Sequence, residues 1–238
     1  MTDAFLSARW ENIIMANYEV SAGLLKPHLP PGVELDHFNN KFYISLVGFM
    51  FKGTSLFHIP IPLLGTFEEI NLRFYVKRTQ GDTIKRGVVF INETVPYKPV
   101  AWLANKLYRE HYTAIPAKSS IINTASAKSI KYDWKINKNW NHIAVSADNK
   151  NEEMIPGGAE EYIFEHYYGY TKINDQQSQE YKVEHPRWQV NRVNDYSIDC
   201  DFRSMYGNEF SFLNNSRPAS VIMAAGSPVA VKWKRTTF

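Results

Sequence analysis

The sequence has very little cysteine and no long apolar segment, and each absence excludes a class of protein. Cys200 is the only cysteine among 238 residues, so neither an internal disulfide nor a site built from several thiolates can form. Asp199 and Asp201 flank it and disfavour a thiolate, so we interpret Cys200 as structural. No run of 18 apolar residues and no signal-peptide pattern is present. We therefore expect a cytoplasmic protein with no membrane partner.

The sequence also lacks concentrated charge and the common motifs of cofactor and metal sites. Its 27 basic residues are dispersed among 24 acidic ones, so no nucleic-acid partner is expected. G-x-S-x-G, Walker and G-x-G-x-x-G motifs are missing, and the histidines form no H-x-H or H-E-x-x-H pair. We predict no cofactor and no metal site. The oligomeric state stays open, with a homo-oligomer among the alternatives.

The hydrophobic pattern that is present predicts a fold made mainly of strands. Period-two segments account for about nine to twelve strands, and two or three short helices interrupt them. The clearest helix is "KPVAWLANKLY", which has a proline in its first turn. No linker divides the pattern, so we predict one domain over residues 1–238. The expected class is α+β with mostly antiparallel β-structure, curled into a barrel or packed sheets that can enclose a pocket.

The stretch "FEEINLRFYVKR" from Phe67 to Arg78 carries the best candidates for a binding site. In a strand its alternate residues form an apolar face of Ile70, Leu72, Phe74 and Val76 and a polar face that includes Glu69, Asn71, Arg73 and Tyr75. The polar face is either solvated or lines a pocket. "RGVVFINETV" follows the Gly81-Asp82 turn and is the predicted hairpin partner.

Two arginines of this hairpin, Arg73 and Arg86, allow two interpretations. They could belong to a surface ladder of ion pairs with Glu69 and Glu93. They could instead bind a carboxylate ligand, because the guanidinium group matches a carboxylate with two parallel hydrogen bonds. The residues alone do not decide between them.

Seven segments together resemble the YqjF-like family, also called DUF2071. In chain order they are "MANYEVSAGLLKPHLPPGVELD", "YISLVGFMF", "FEEINLRFYV", "RGVVFINETVP", "HYYGYT", "VEHPRW" and "AAGSPVAV". That family is grouped with the acetoacetate decarboxylase-like superfamily. The resemblance implies a mostly antiparallel, cone-shaped β-barrel around an interior pocket, with a few short helices.

The resemblance to the decarboxylases themselves implies a catalytic lysine. Their conserved glutamate corresponds to Glu69, and their R-E…P-K-K segment is similar to Arg109-Glu110 followed by Pro116-Ala117-Lys118. Lys118 would then form a Schiff base with a ketone substrate. The decarboxylases use two adjacent lysines, and here alanine occupies the first position. A solvated loop lysine is the alternative interpretation of Lys118.

These observations leave three hypotheses. In the first, a pocket binds a small carboxylate or oxo acid as a decarboxylase-like lyase, with Lys118 and Glu69 as catalytic residues and Asn71, Arg73, Tyr75 and Arg86 as substrate-binding residues. In the second, the pocket binds its small-molecule ligand without Schiff-base chemistry, either as a non-catalytic binder or with Glu69 as general base. In the third, the protein is a structural module with a packed barrel, which a cavity smaller than roughly 300 Å³ would favour.

Overall fold

The computed structural model describes residues 4–238, which form one connected sheet system with short helices. Its strands are β1 Ala4–Val20, β2 Glu34–Leu35, β3 Phe42–Leu56, β4 Ile59–Pro60, β5 Phe67–Gln80, β6 Thr83–Val95, β7 Tyr112–Ala114, β8 Ala117–Asn123, β9 Ala127–Ile136, β10 Asn139–Glu153, β11 Tyr168–Lys172, β12 Ser178–Glu184, β13 Gln189–Asp199 and β14 Ser220–Thr237. Its α-helices are α1 Ala22–Leu25, α2 Lys98–Tyr108, α3 Ala159–Phe164 and α4 Phe202–Tyr206, with 3₁₀ segments at Lys26–His28 and Asn208–Asn215. No helix within residues 4–238 combines the length and the apolar character needed to cross a membrane.

Seven strands close into a barrel in the order β1-β3-β5-β6-β11-β12-β14, and pairing of β14 with β1 completes the circle. Every neighbouring pair is antiparallel except β6 and β11, which run parallel. Closure removes the free edges that a curled sheet would otherwise expose. The predicted class, a mostly antiparallel barrel with few short helices, is confirmed.

Four further strands, β13, β10, β9 and β8, continue the sheet from β14 and form a second layer. This layer covers the outer surface of the barrel where β3 and β5 lie. At Gly48 of β3 the two layers are so close that a Cβ atom would lie 2.8 Å from the Tyr132 ring of β9. The wall formed by β3 and β5 is therefore buried from both sides.

Two large hydrophobic cores result, beside a small third cluster of Phe5, Tyr108, Tyr181 and Val231. The outer core lies between the barrel and the second layer and includes Leu72, Phe74, Tyr132 and Trp134. The inner core fills much of the barrel and is richer in aromatic side chains, with Phe49, Phe51, Tyr75, Phe164 and Trp188 among its members.

Strand β5 separates the two cores because its side chains alternate. The four residues of the predicted apolar face, Ile70, Leu72, Phe74 and Val76, are each fully buried in the outer core. The polar residues between them therefore point into the barrel. The predicted hairpin partner is confirmed as β6, which pairs with β5 around Gly81-Asp82, and the predicted helix is confirmed as α2.

Barrel closure depends on a glycine where β1 meets β14. Gly226 pairs with Glu11 and has φ +84°, and a Cβ atom there would lie 1.9 Å from the carbonyl oxygen of Trp10. Gly81 in the β5–β6 turn has a similar φ of +57° but no atom within 4 Å of the same position. Both glycines have a positive φ, but only Gly226 has an atom close to the position that a Cβ atom would occupy.

We predict that Gly226→Ala destabilises the protein by about 2–5 kcal/mol, because the left-handed backbone costs an alanine about 1–2 kcal/mol and the clash adds to it. Gly81→Ala, the matched control, should cost only about 1–2 kcal/mol. Urea unfolding followed by tryptophan fluorescence measures both. If both variants lose the same free energy of unfolding, barrel closure does not depend on the close contact between Gly226 and the Trp10 carbonyl oxygen.

Candidate functional site

A cavity of about 90 Å³ lies inside the barrel. One water molecule needs roughly 10–15 Å³ of such space, so the cavity accommodates about six to nine water-sized groups. This is well below the roughly 300 Å³ at which ligand pockets begin, so volume alone favours a packed barrel. The case for a ligand depends on the polar groups in the wall. The rest of the wall is largely aromatic, with Trp10, Phe49, Phe51, Phe164 and Trp188.

Strand β5 contributes three polar residues to the cavity wall: Glu69, Asn71 and Arg73. They are successive inward residues of one strand, so their side chains follow one another along the wall. Glu69 and Asn71 are almost completely buried, and Asn71 Nδ2 donates to Glu69 Oε1 at 3.0 Å.

A second carboxylate, Glu93, comes from β6 and reaches the cavity because of a β-bulge. Leu72 pairs with Asn92, whereas the next residue, Arg73, pairs with Phe90. One residue of β6 is therefore unmatched, and the alternation of its side chains shifts at that point. As a result Phe90 and Glu93, which are three positions apart, both line the cavity.

A third carboxylate, Glu110, comes from the connection between α2 and β7. Helix α2 ends at Tyr108, and the residue that caps it, Arg109, has the left-handed conformation (φ 57°). This turn directs Glu110 inward. Its Oε1 accepts hydrogen bonds from Thr171 Oγ1 at 2.6 Å and from the Tyr181 hydroxyl at 2.9 Å. Tyr112 follows in β7, and its hydroxyl lies 3.4 Å from Glu69 Oε2.

Burial in the barrel interior keeps these carboxyl groups partly or wholly protonated near neutral pH. Loss of hydration raises the pKa of Glu69 and of Glu110 to about 7 in each case. The pKa of Glu93 is raised well above the usual range of a carboxyl group, first by burial and then by repulsion from Glu69 and Glu110. Glu93 therefore keeps its proton to a higher pH than a solvated carboxyl group does, beside two groups whose pKa values are about 7.

Arg73 is the positive charge on the cavity wall. Its Nη2 lies 3.7 Å from Met15 Sδ, and its Cζ lies 6.0 Å from the centre of the Tyr75 ring. Its Nε is buried and has no hydrogen-bond partner anywhere in residues 4–238. Its positive charge opposes the rise in the pKa of Tyr75, Glu69 and Glu93.

His166 lines the cavity as well and connects it to a buried aspartate. Its Nε2 lies 3.5 Å from Asp36 Oδ2, and the same oxygen lies 3.2 Å from Arg86 Nε. Burial lowers the pKa of His166, although Asp36 opposes this shift. At neutral pH the imidazole is therefore uncharged.

The structure brings together three of the six residues predicted from the sequence and separates the other three. Glu69, Asn71 and Arg73 line the cavity, and Tyr75, Arg86 and Lys118 do not. The Tyr75 hydroxyl is bound to Ser45 Oγ at 2.6 Å inside the inner core. Arg86 is half exposed at the end of β6, where it is paired with Asp36.

Lys118 does not lie at this cavity. It lies on β8, the outermost strand of the second layer, where it is exposed and its Nζ lies 4.4 Å from the centre of the Trp140 ring. No lysine lines the cavity formed by the described residues. A Schiff base on Lys118 would form on the outside of the protein, apart from the cavity, and its catalytic role stays a prediction from the sequence.

Sequence reasoning missed four of the polar residues on the cavity wall: Glu93, Glu110, Tyr112 and His166. Glu110 stands in the R-E segment that resembles the decarboxylases, and His166 begins the "HYYGYT" segment, so both carried a weak signal. Glu93 was hidden by the bulge, and Tyr112 lies in a short strand without alternation.

The arrangement suits proton transfer more than metal binding. Within residues 4–238 no three histidine, cysteine or acidic side chains are placed to hold a metal ion together. Glu69 has a pKa near neutrality, which is the value that makes a carboxylate an effective base at pH 7. Burial also raises the pKa of Glu93, and in its protonated form Glu93 can donate a proton or a hydrogen bond, so the cavity holds a candidate acid beside a candidate base.

Solved structures with the same fold include several enzymes. The enduracididine biosynthesis enzyme MppR has a TM-score of 0.67 with 10% identity, over 98% of this chain and 88% of that one. An acetoacetate decarboxylase-like enzyme from Sphingomonas wittichii RW1 has a TM-score of 0.64 with 9% identity, over 100% of this chain and 94% of that one. The acetoacetate decarboxylase of Legionella pneumophila has a TM-score of 0.63 with 10% identity, over 95% and 85%. At these identities the likeness shows the fold alone, which is the acetoacetate decarboxylase-like fold.

Sequence comparison identifies the family. The uncharacterized protein YqjF of Bacillus subtilis (strain 168) is 34% identical over 68 residues, so the match spans only 28% of this chain and 28% of that relative. The model of the DUF2071 family, described as an uncharacterized conserved protein, matches residues 7–228. Since that match covers nearly the whole chain, this protein belongs to the DUF2071 family.

Proposed function

We propose that the protein binds a small oxo acid, or a closely related small carboxylate, in the barrel cavity without forming a covalent bond to lysine. The observation that carries this proposal is Arg73. Its guanidinium lines the cavity, and the described residues provide its buried Nε with no acceptor and the group with no ion pair. Arg73 as a whole is partly buried, so the cost lies in its enclosed Nε, which is left without an acceptor. A bound carboxylate would remove that cost with paired, charge-assisted hydrogen bonds.

Protonation of the acidic groups reduces the electrostatic repulsion of a negatively charged ligand. Three ionised carboxylates would repel an anion strongly in a medium of low dielectric constant. Because burial raises the pKa of Glu93 well above the usual range and those of Glu69 and Glu110 to about 7, the cavity loses much of that negative charge near neutral pH. A protonated carboxyl group can also donate a hydrogen bond to the carbonyl oxygen of an oxo acid.

Structures with this fold support the size and class of the ligand. MppR has been observed with pyruvate and with the condensation product of pyruvate and imidazole 4-carboxaldehyde. Pyruvate has six non-hydrogen atoms, which agrees with the room for about six to nine water-sized groups in this cavity.

The polar wall argues against a structural module with a packed barrel. Buried polar atoms in native proteins almost always have hydrogen-bond partners. Here Trp10 Nε1, Asn71 Oδ1, Arg73 Nε and Glu93 Oε2 all line one cavity and have none among residues 4–238. A barrel selected only for stability would replace such groups with apolar side chains.

The acid and base on the wall favour proton exchange on the bound oxo acid. Ionised Glu69 would remove a proton from the carbon beside the carbonyl group, and Glu93 would stabilise the resulting enolate oxygen by donating its hydrogen bond. In this proposal Glu69 is the general base, Arg73 holds the carboxylate, and Asn71 orients Glu69 through the hydrogen bond between them. A single domain over residues 1–238, a cytoplasmic location and the absence of a cofactor stay predictions from the sequence.

We predict that Arg73→Gln weakens the binding of 2-oxobutyrate by about 2–4 kcal/mol, or roughly 30- to 900-fold, because it removes the charge-assisted hydrogen bonds to the carboxylate. Isothermal titration calorimetry measures the affinity. Arg86→Gln, at the other arginine of the hairpin, is the matched control and should change the affinity little. An equal loss in both variants would contradict the role assigned to Arg73.

We predict that the affinity for 2-oxobutyrate is highest below about pH 7 and falls as the pH rises through and above this value. An anion binds best when Glu69 and Glu110 are protonated, so binding raises their pKa values from about 7 and takes up protons. The affinity can fall by at most about tenfold per pH unit for each proton that binding takes up. Titrations at several pH values measure this dependence. The double variant Glu69→Gln, Glu110→Gln should have a much flatter profile, and an unchanged profile would assign the dependence to other groups.

We predict that the protein accelerates exchange of the C3 protons of 2-oxobutyrate with deuterium from D₂O, followed by proton NMR. Glu69→Gln should slow this exchange about 100-fold or more, because a positioned general base contributes at least that factor. Lys118→Met, which removes the lysine on the outer strand, should leave the rate unchanged. Exchange that survives Glu69→Gln and is lost in Lys118→Met would restore the Schiff-base hypothesis.

A further inference from the structure

His166 is a buried histidine on the cavity wall that the proposed reaction does not use. Its side chain is 1% exposed and lines the cavity. It follows α3, in the segment that leads into β11, the strand beside β6. Neither of its ring nitrogens makes a hydrogen bond within the described part of the chain. Such a group needs an explanation, because buried polar atoms in native proteins almost always have partners.

Asp36 holds one side of the imidazole. Its Oδ2 lies 3.5 Å from His166 Nε2 and 3.2 Å from Arg86 Nε, and its Oδ1 accepts from the backbone N–H of His37 at 3.0 Å. Burial raises the pKa of Asp36, but these three neighbours lower it more, so this carboxyl group is ionised at neutral pH. An ionised carboxylate only accepts hydrogen bonds. The neutral imidazole therefore carries its proton on Nε2, and Nδ1 is left with a lone pair.

The other ring nitrogen, Nδ1, has no partner among residues 4–238. The two nitrogens of an imidazole point away from each other, so Nδ1 is directed away from Asp36, which does not line the cavity. Two tyrosines pack against the ring, with centroid distances of 4.8 Å to Tyr75 and 5.2 Å to Tyr162. The Tyr75 hydroxyl is bound to Ser45, and Tyr162 is not part of the cavity wall. This leaves the cavity as the source of a partner for Nδ1.

The positive charge of Arg73 acts on the same part of the wall. Arg73 Cζ lies 6.0 Å from the centre of the Tyr75 ring, against which the imidazole also packs. Burial lowers the pKa of His166, and Asp36 raises it. Arg73 and Arg86 then lower it further. A carboxylate bound to Arg73 would neutralise one of these two positive charges and add an attraction of its own, so it would favour the charged imidazolium.

We infer that His166 is a second binding residue for the ligand: its Nδ1 takes up a proton from solvent and donates a hydrogen bond to the carboxylate that Arg73 binds, while Nε2–H stays with Asp36. This inference rests on the proposed function and adds a residue and a proton to it. Asp36 is a positioning residue, because it orients the ring and stabilises the imidazolium without contacting the ligand. Both bonds of the charged ring are charge-assisted, which makes them shorter and stronger than neutral ones.

Nitrogen-15 NMR of protein labelled at histidine observes the two ring nitrogens directly. At pH 7 the free protein should show one protonated and one bare nitrogen for His166, as in a neutral ring. Saturation with 2-oxobutyrate should protonate the second nitrogen and give the spectrum of an imidazolium. Loss of these signals in His166→Asn identifies them. His142, on β10 of the second layer and within 2.9 Å of Ser197 Oγ, is the control and should not change.

Two substitutions of His166 separate the roles of its nitrogens, because an asparagine amide replaces Nδ1 and a glutamine amide replaces Nε2. Below pH 7 we expect His166→Gln to weaken the binding of 2-oxobutyrate about tenfold or more, since it removes a hydrogen bond between charged groups. His166→Asn keeps a donor toward the ligand and should weaken it less. The wild-type protein and both variants should converge as the pH rises and the imidazole loses its proton. A damaged cavity would instead weaken binding equally at every pH.

Proton linkage gives an independent readout of the same group. In the double variant Glu69→Gln, Glu110→Gln, binding of 2-oxobutyrate near pH 7 should still take up about one proton, which is the proton on His166. Addition of His166→Asn should remove this uptake. Titrations in phosphate and in Tris, whose ionisation enthalpies differ, measure the number of protons.

Asp36→Asn tests the positioning residue with a side chain of the same size and no charge. The imidazole should then stay uncharged in the complex, and its proton uptake should be lost. Asp175→Asn, at an exposed aspartate paired with Lys172, is the matched control and should leave both unchanged.

The failure of this inference can be distinguished from the failure of the proposed function. If 2-oxobutyrate binds in an Arg73-dependent manner and His166 keeps one bare nitrogen in the complex, His166 does not bind the carboxylate and the oxo acid site stands. If 2-oxobutyrate does not bind, both proposals fall.

Discussion

Burial of strand β5 on both faces is the constraint on which the rest of the molecule depends. Its outward residues Ile70, Leu72 and Phe74 are fully covered by the second layer. Since the outer face of β5 is covered, the inward side chains of this strand can reach bulk water only through the cavity. The second layer therefore does more than add a hydrophobic core, since it also determines the dielectric environment of the polar residues inside the barrel.

The electrostatics of the cavity follow from this double burial. Desolvation is the largest cause of the raised pKa at Glu69, Glu93 and Glu110, and it acts on all three because they share one enclosed space. A carboxyl group kept neutral in this way costs the folded state stability once the pH rises above its unfolded value. Arg73 is only partly buried, but its enclosed Nε has no acceptor among the described residues and adds a cost of its own. Stability alone would not maintain four such groups around one cavity, and in the proposed function a bound ligand would give them partners.

The sequence was sufficient to predict the wall contributed by β5 and insufficient for the walls that face it. Strict alternation between apolar and polar residues placed Glu69, Asn71 and Arg73 on one face, and hairpin spacing identified β6 as the partner strand. The same rule fails for Glu93, because one residue of β6 is unmatched after Phe90 and the alternation reverses there. Nothing in "RGVVFINETV" marks that position. A bulge is a property of the pairing between two strands, so a pattern read along one strand does not contain it.

Lys118 and Glu110 show the same limit of prediction from sequence, here over a longer segment of the chain. They lie eight residues apart in the segment that resembles the decarboxylases, yet Glu110 points into the barrel and Lys118 lies on the outermost strand of the second layer. The chain separates them because α2 ends in a left-handed residue that turns Glu110 inward, after which β7 pairs with β6 and β8 pairs with β9. No lysine lies on the cavity wall formed by residues 4–238, and its titratable groups are carboxyl groups, histidines and tyrosines. Proton transfer in the proposed function would therefore depend on carboxyl groups whose pKa values are raised by burial, with Arg73 holding the ligand against them.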